Sequence, residues 1–221
     1  MNTRMSEAMK RRFRETVFGH FLDVMSHVCE SNLLLSVAQH QIETGLPSID
    51  GLFYQIGPNS LVFTPQQFCL ITGLRFGRHD GWELAQSPTS FKRRIFGEVS
   101  KVSYESVCAI FNGDWSDYAV DDVVRICILV MIETVFKGTQ TSATVDDLVL
   151  DLVDDFVVLN RFPWGSYFWE DLVKNINNMH LIQKRGTKGF SLKSCNWVFK
   201  VLVCMNYLLL IINFNKYLRY F

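Results

Sequence analysis

The sequence predicts a mainly α fold, a helical bundle-like domain with one small β-hairpin near residues 52–63. Three observations lead there. Apolar residues recur at three- and four-residue spacing along much of the chain, as in Val145, Leu148, Val149, Leu152, Phe156 and Leu159. Helix start and stop residues bracket such runs: Thr64-Pro65 and Gly73 around one, Asp121-Asp122 and Gly138 around another. Only "LFYQIGPNSLVF", Leu52 to Phe63, sets two short apolar runs around turn chemistry, Gly57-Pro58-Asn59-Ser60.

The chain of 221 residues is long enough for one large domain or two small ones with a substantial core. Apolar residues make up 48% and aromatics 14%, which excludes disorder over most of the length. Lys plus Arg and Asp plus Glu both total 22, so any nucleic-acid binding must rest on local patches rather than on net charge. The six cysteines form no CxxC pair, and the reading expects a reducing, intracellular location, nuclear or cytoplasmic. Three regions are expected: a basic segment 1–12, one helix-rich domain 13–200 and an apolar tail 201–221.

In chain order, Phe13, Val17, Phe21, Met25 and Val28 set up a helical stripe behind the basic "KRRFR". Residues 33–40 read as a second helix, ended by Gly45 and Pro47. After the hairpin, Thr64 is placed as N-cap, Pro65 as first helical residue and Gln67 as the partner of a capping box, giving a helix from Pro65 to about Thr72. Gly73 then falls at the C′ position. Residues 78–101, with Gly81, Pro88 and "FKRR", read as a long loop, followed by a short helix over Tyr104–Phe111 that Gly113 stops. Val120 to Phe136 carries one charge between Val123 and Ile132, so it is expected as the buried centre. Thr144 is expected to cap one continuous helix "VDDLVLDLVDDFVVL", and Ser166 a last helix whose Trp169, Leu172, Val173 and Ile176 face inward.

The chemistry-bearing residues are sparse. Asp147, Asp151 and Asp154 share a helix face, but a divalent cation needs oxygen ligands converging from other segments, so a solvated face is expected. His20, His27, His40, His79 and His180 form no HxxxH or HExxH pair. There is no GxGxxG, GxxxxGK[ST] or GxSxG. "GLRFG" offers Arg75 and backbone N–H groups to an anion, yet it follows a helix C-terminus, whose dipole repels anions. Its glycines are therefore expected to be structural, with Arg75 left for a partner contact. "FPWG" reads as a helix stop at Pro163, a turn at Gly165 and a Trp164 that covers the gap between packed helices. Arg125 is expected to pair with Asp121, one turn earlier.

Two segments, "LVFTPQQFCLITGLRFG" and "DDFVVLNRFPWGSYFWEDLVKNI", resemble the hallmark blocks of a plant family, the domain of unknown function numbered 1985. The matching positions are Phe63, Phe68, Leu70, Thr72, Gly73, Leu74 and Gly77, then Pro163, Trp164, Gly165, Glu170, Leu172 and Ile176. Phe76, Leu159, Phe162 and Trp169 depart from the family pattern while keeping apolar bulk. The resemblance implies a mostly helical module of unassigned activity, found upstream of SUMO-protease-like (Ulp-type) cysteine peptidase domains or in proteins related to Mutator-like transposable elements. It implies folding roles for Phe68, Thr72, Gly73, Leu74, Gly77, Pro163, Trp164 and Gly165, and it carries over no catalytic residue.

The functional expectation is a non-catalytic protein-interaction module, a truncated copy from a transposon-associated family, with a protein or a peptidase domain in cis as partner and no cofactor or metal. The alternatives are an accessory region of a Ulp-type SUMO-specific protease and a nucleic-acid-binding module. Partner contacts are expected at Arg75, Arg11, Arg12, Arg93 and Arg94. The tail after Lys200 reads as translated intron or truncated-gene sequence, with a membrane anchor over residues 201–214 as the competing reading. That stretch includes Asn206 and falls short of the ~18–20 residues a spanning helix needs.

Overall fold

The computed structural model describes residues 1–23, 40–42, 50–56, 59–79, 90–140, 142–184, 197–198 and 201. Its elements are α1 (Glu7–Arg14), β1 (Leu52–Ile56), β2 (Asn59–Phe63), α2 (Pro65–Thr72), α3 (Ser90–Phe96), α4 (Tyr104–Asn112), α5 (Val120–Met131), α6 (Asp147–Asp154), α7 (Phe156–Arg161) and α8 (Trp164–Lys184). The described residues are thus mainly helical with one two-stranded hairpin, the fold class the sequence predicts. They group into two compact units, Met1–Ser26 with Arg78–Pro163, and His27–Gly77 with Trp164–Phe221.

In the first unit α5 is the buried centre, with Val124, Ile126, Cys127, Ile128 and Leu129 each excluded from solvent. It runs into a π-turn, Ile132–Phe136, in which the Lys137 amide reaches back five residues to the Ile132 carbonyl at 2.9 Å. The π-turn holds a fully buried Glu133, which accepts from Lys137 Nζ at 3.1 Å and from the Thr139 hydroxyl. A buried carboxylate with two such donors carries a much smaller desolvation penalty than a lone one.

Four expectations for this unit are corrected. The stripe from Phe13 to Val28 is not one helix: α1 stops at Arg14, because Thr16 turns its amide and hydroxyl onto the Phe13 carbonyl. The chain then folds back so tightly that a Cβ on Gly19 would stand 2.4 Å from the Arg14 carbonyl oxygen. Met25 and Val28 lie outside the described residues, as do 33–39. Second, "SFKRRIF" is a helix, α3, not loop. It is held by a fully buried Phe91, by Lys92 on Asp147 at 3.2 Å and by Arg94 on Asp122 at 2.6 Å, partners that local propensity cannot report.

Third, the helix expected after Thr144 begins later and breaks once. Thr144 bridges Ser103 in a short antiparallel contact, Asp146 caps α6, and Asp155 leaves the helix at φ −113°, ψ 109° to cap α7 through Val157 N at 2.7 Å. The break frees carbonyl groups, and Arg125 donates to those of Val153 at 3.3 Å and Asp154 at 2.9 Å. Fourth, Arg125 pairs with Asp122 at 2.9 Å, while Asp121 takes Arg12.

In the second unit β1 and β2 pair antiparallel, Leu52 opposite Phe63 and Tyr54 opposite Leu61. Residues 40–42 add to the other edge of β1: the Ile42 amide donates to the Phe53 carbonyl, and the Gln55 amide to the His40 carbonyl, both at 2.8 Å. α2 starts with the expected capping box, Thr64 Oγ1 accepting from the Gln67 amide and Gln67 Oε1 from the Thr64 amide. It ends at Gly73 in the left-handed region, φ 69°. The buried faces of β2, α2 and α8 meet in an aromatic cluster, with Trp169 edge-on to Phe63 at 5.3 Å and to Phe68 at 5.8 Å.

Candidate functional site

The most specific geometry in the second unit joins the two motif segments. Thr72 is fully buried: its hydroxyl donates to the Phe68 carbonyl at 2.7 Å and accepts from the Leu74 amide at 3.3 Å, which turns the chain out of α2. Leu74 is buried, and Arg75-Phe76-Gly77 then lies along the first turn of α8. There the Gly165 amide donates to the Arg75 carbonyl at 2.9 Å, and the Gly77 amide donates to Ser166 Oγ at 2.9 Å. Helix N-termini leave amides without intrahelical partners, and here a distant backbone carbonyl takes one of them.

Gly165 is required by close approach. A Cβ there would stand 2.6 Å from the Arg75 oxygen and 2.7 Å from Phe76 Cδ2, distances real side chains do not adopt. The expected turn at Gly165 is therefore corrected, since it lies inside the first turn of α8, and so does Ser166, which accepts from Gly77. Trp164 is fully buried, stacked on Phe168 with centroids 5.3 Å apart.

One apolar motif position lies apart from the packing. Phe63, Phe68, Thr72 and Leu74 are fully buried, while Leu70 is 79% exposed on the outer face of α2. Gln66, Gly73 and Arg75 are exposed beside it in sequence at helical or near-helical spacing. Sequence reasoning matched Leu70 to the family pattern but had no signal for its exposure, because Leu70 sits between buried positions of one short helix.

The arginines expected at a partner contact have these surroundings within the chain. Arg12 donates to Asp121 at 2.9 Å and Glu15 at 2.8 Å, with its guanidinium 4.5 Å from the Phe156 ring centroid. Arg94 takes Asp122, so Arg12 and Arg94 both meet carboxylates of the first turn of α5. The hydrogen bond from Arg94, with the charge of Arg125 behind it, holds the Asp122 carboxyl below its ordinary range. Arg93 pairs with Glu98 at 2.8 Å, and Arg11 is exposed on α1. Arg75 is exposed and belongs to the second unit.

The aspartate row is also divided. Asp147 accepts from Lys101 and Lys92, which holds its carboxyl below the usual range, and Asp154 accepts from Ser90 Oγ at 3.3 Å. Among the described residues no group of three His, Cys, Asp or Glu side chains is placed to hold a metal ion. His20 lies against Phe21 at 4.1 Å and His79 near Phe162 at 6.1 Å. Cys127 is fully buried, and burial pushes its thiol up to about 12.

A two-motif joint on a mainly helical scaffold is the class of module the geometry defines. The family model described as a domain of unknown function (DUF1985) matches residues 47–175, and the chain belongs to that family. The match spans the hairpin, α2 and the start of α8, and so takes in both sides of the joint. No curated protein and no solved structure matches the chain. No described helix is long and apolar enough to cross a membrane, and the tail expected over 201–221 lies, after Val201, outside the described residues.

Proposed function

We propose that this chain is a non-catalytic protein-interaction module whose contact surface is the outer face of α2, with Leu70 as its apolar anchor and Arg75 as its charged neighbour. The exposure of Leu70 carries the reading. Every other position of the first motif has a folding role in burial, helix closure or the joint with α8, and Leu70 is the motif's one large apolar side chain that is held in water. A scattered exposed leucine is ordinary; a motif leucine on a capped helix, next to an arginine, is what an apolar partner with an acidic rim would read.

The setting is the one the family resemblance implies: a transposon-associated plant protein, with a Ulp-type cysteine peptidase domain in cis or in a companion chain as the partner. The nucleic-acid reading is weaker, because Arg12, Arg14, Arg93, Arg94, Lys92 and Lys101 each meet a carboxylate of the first unit. Phosphate binding would have to displace those partners.

The test is calorimetric titration of the chain with a Ulp-type peptidase domain from a family protein, beside a labelled DNA duplex at low salt. Binding of the peptidase domain that Leu70→Gln weakens about tenfold supports the reading, a loss in the range of one interface anchor. Equal binding by the two forms, or binding to the duplex alone, overturns it.

A further inference from the structure

The two edges of the hairpin are treated differently. The outer edge of β1 is covered by residues 40–42 through the Phe53 carbonyl and the Gln55 amide. Since the peptide groups of alternate residues point to opposite edges, Phe53 and Gln55 face away from β2, and Leu52, Tyr54 and Ile56 face it. Their partners Phe63, Leu61 and Asn59 are then used up within the hairpin. The remaining residues, Ser60 and Val62, turn their N–H and C=O groups outward, and among the described residues neither meets a backbone hydrogen-bond partner on that side.

Proteins usually blunt such an edge with a lysine, a proline or a bulge. β2 has none of these: Asn59-Ser60-Leu61-Val62-Phe63 is uncharged, the register runs without a bulge, and the Ser60 hydroxyl is engaged with Gln55 Oε1 at 2.9 Å within the hairpin. We propose that two copies of this chain pair antiparallel through the outer edges of β2, with Leu61 at the twofold axis. In that register Ser60 of each copy lies opposite Val62 of the other, and each pair exchanges two backbone hydrogen bonds. Leu61 meets its own counterpart on the core side of the extended sheet. A second copy fits this edge because the open groups are self-complementary, the strand carries no charge, and the chain's formal charge is zero, so the copies do not repel.

Sedimentation of the full chain over a dilution series tests the pairing, with Val62→Pro as the variant. Proline at 62 removes an outward N–H and leaves the β1 hydrogen bonds in place. The expected result is a monomer–dimer equilibrium whose association constant falls about tenfold or more in the variant, as loss of two backbone hydrogen bonds across the pair requires. Residue-level amide exchange of the unmodified chain is the second measurement: the Ser60 and Val62 amides gain protection as concentration rises, while the Leu61 amide does not change. A chain that stays monomeric, association that Val62→Pro leaves intact, or exchange at Ser60 and Val62 independent of concentration overturns the proposal. An extended foreign peptide that protects those amides while the chain stays monomeric assigns the edge to another partner and overturns it equally.

Discussion

The amide of Gly165 donates to the carbonyl oxygen of Arg75 at 2.9 Å, across 90 positions of sequence, with no room for a side chain between them. One hydrogen bond thus explains a glycine in a motif that sequence reading attributes to turn flexibility. Its strength comes from what surrounds it, since Trp164 and Phe168 on the same helix turn are fully buried. The joint cannot open by a few tenths of an ångström without disturbing that packing.

Gly165→Ala should therefore destabilise the chain by about 1–3 kcal/mol, the usual effect of forcing one extra carbon into a filled site. The same change at a helical glycine with open space would stabilise, because alanine is the better helix former. Urea unfolding followed by circular dichroism decides the sign, and a stabilised variant would show that the close approach is not maintained in solution.

Ser166→Ala removes the acceptor of the Gly77 amide and should reduce stability by about 1 kcal/mol, with the helix itself unaffected. The expected signature is local. Amide exchange at Gly77 rises, and exchange within α5 of the other unit stays as it was. Equal acceleration throughout the chain would mean that Ser166 supports global packing instead.

What was legible in the sequence was what is decided within a few residues. Thr64, Pro65, Gln67 and Gly73 describe α2 completely, because a capping box and a left-handed stop are local interactions. The hairpin and the buried α5 follow from composition and periodicity in the same way. The break at Asp155 was not legible: it depends on Arg125, 30 positions earlier, whose guanidinium takes the freed carbonyls. α3 was hidden for a similar reason, its order coming from Asp122 and Asp147 far along the chain. At the candidate site, the motif glycines could be recognised as structural from their place after a helix, but the role of Ser166 and the exposure of Leu70 needed the fold.

The Asp122 network predicts an acid limb in stability. Its carboxyl titrates below the ordinary range in the folded chain because Arg94 donates to it, with Arg125 adding a second donor. A depressed carboxyl contributes stability above its unfolded value of about 3.9, and that contribution is lost as pH falls through the lower folded value. Asp147, held down by Lys101 and Lys92, acts with the same sign. Asp122→Asn should lower stability at neutral pH by about 3 kcal/mol, the low end for breaking a buried pair, since Arg94 keeps access to water. It should also flatten the decline below pH ~4. Unfolding midpoints measured from pH 3 to 7 in both forms check this, and parallel curves would remove Asp122 from the acid response.

Thiol chemistry offers a separate check on the first unit. Cys127 is fully buried in α5 and its thiol is pushed up to about 12 by loss of hydration, whereas Cys69 and Cys108 are partly exposed. The thiolate is the reactive form, so alkylation of Cys127 in the folded chain should lag behind Cys69 and Cys108 by roughly a hundredfold or more at mildly alkaline pH. Adding urea to the unfolding midpoint should bring Cys127 into line, because its protection is that of the central helix. Peptide mass spectrometry after timed iodoacetamide pulses reads all three sites in one experiment. Early labelling of Cys127 without denaturant would mean that α5 opens to solvent far more often than the core of a stable unit does.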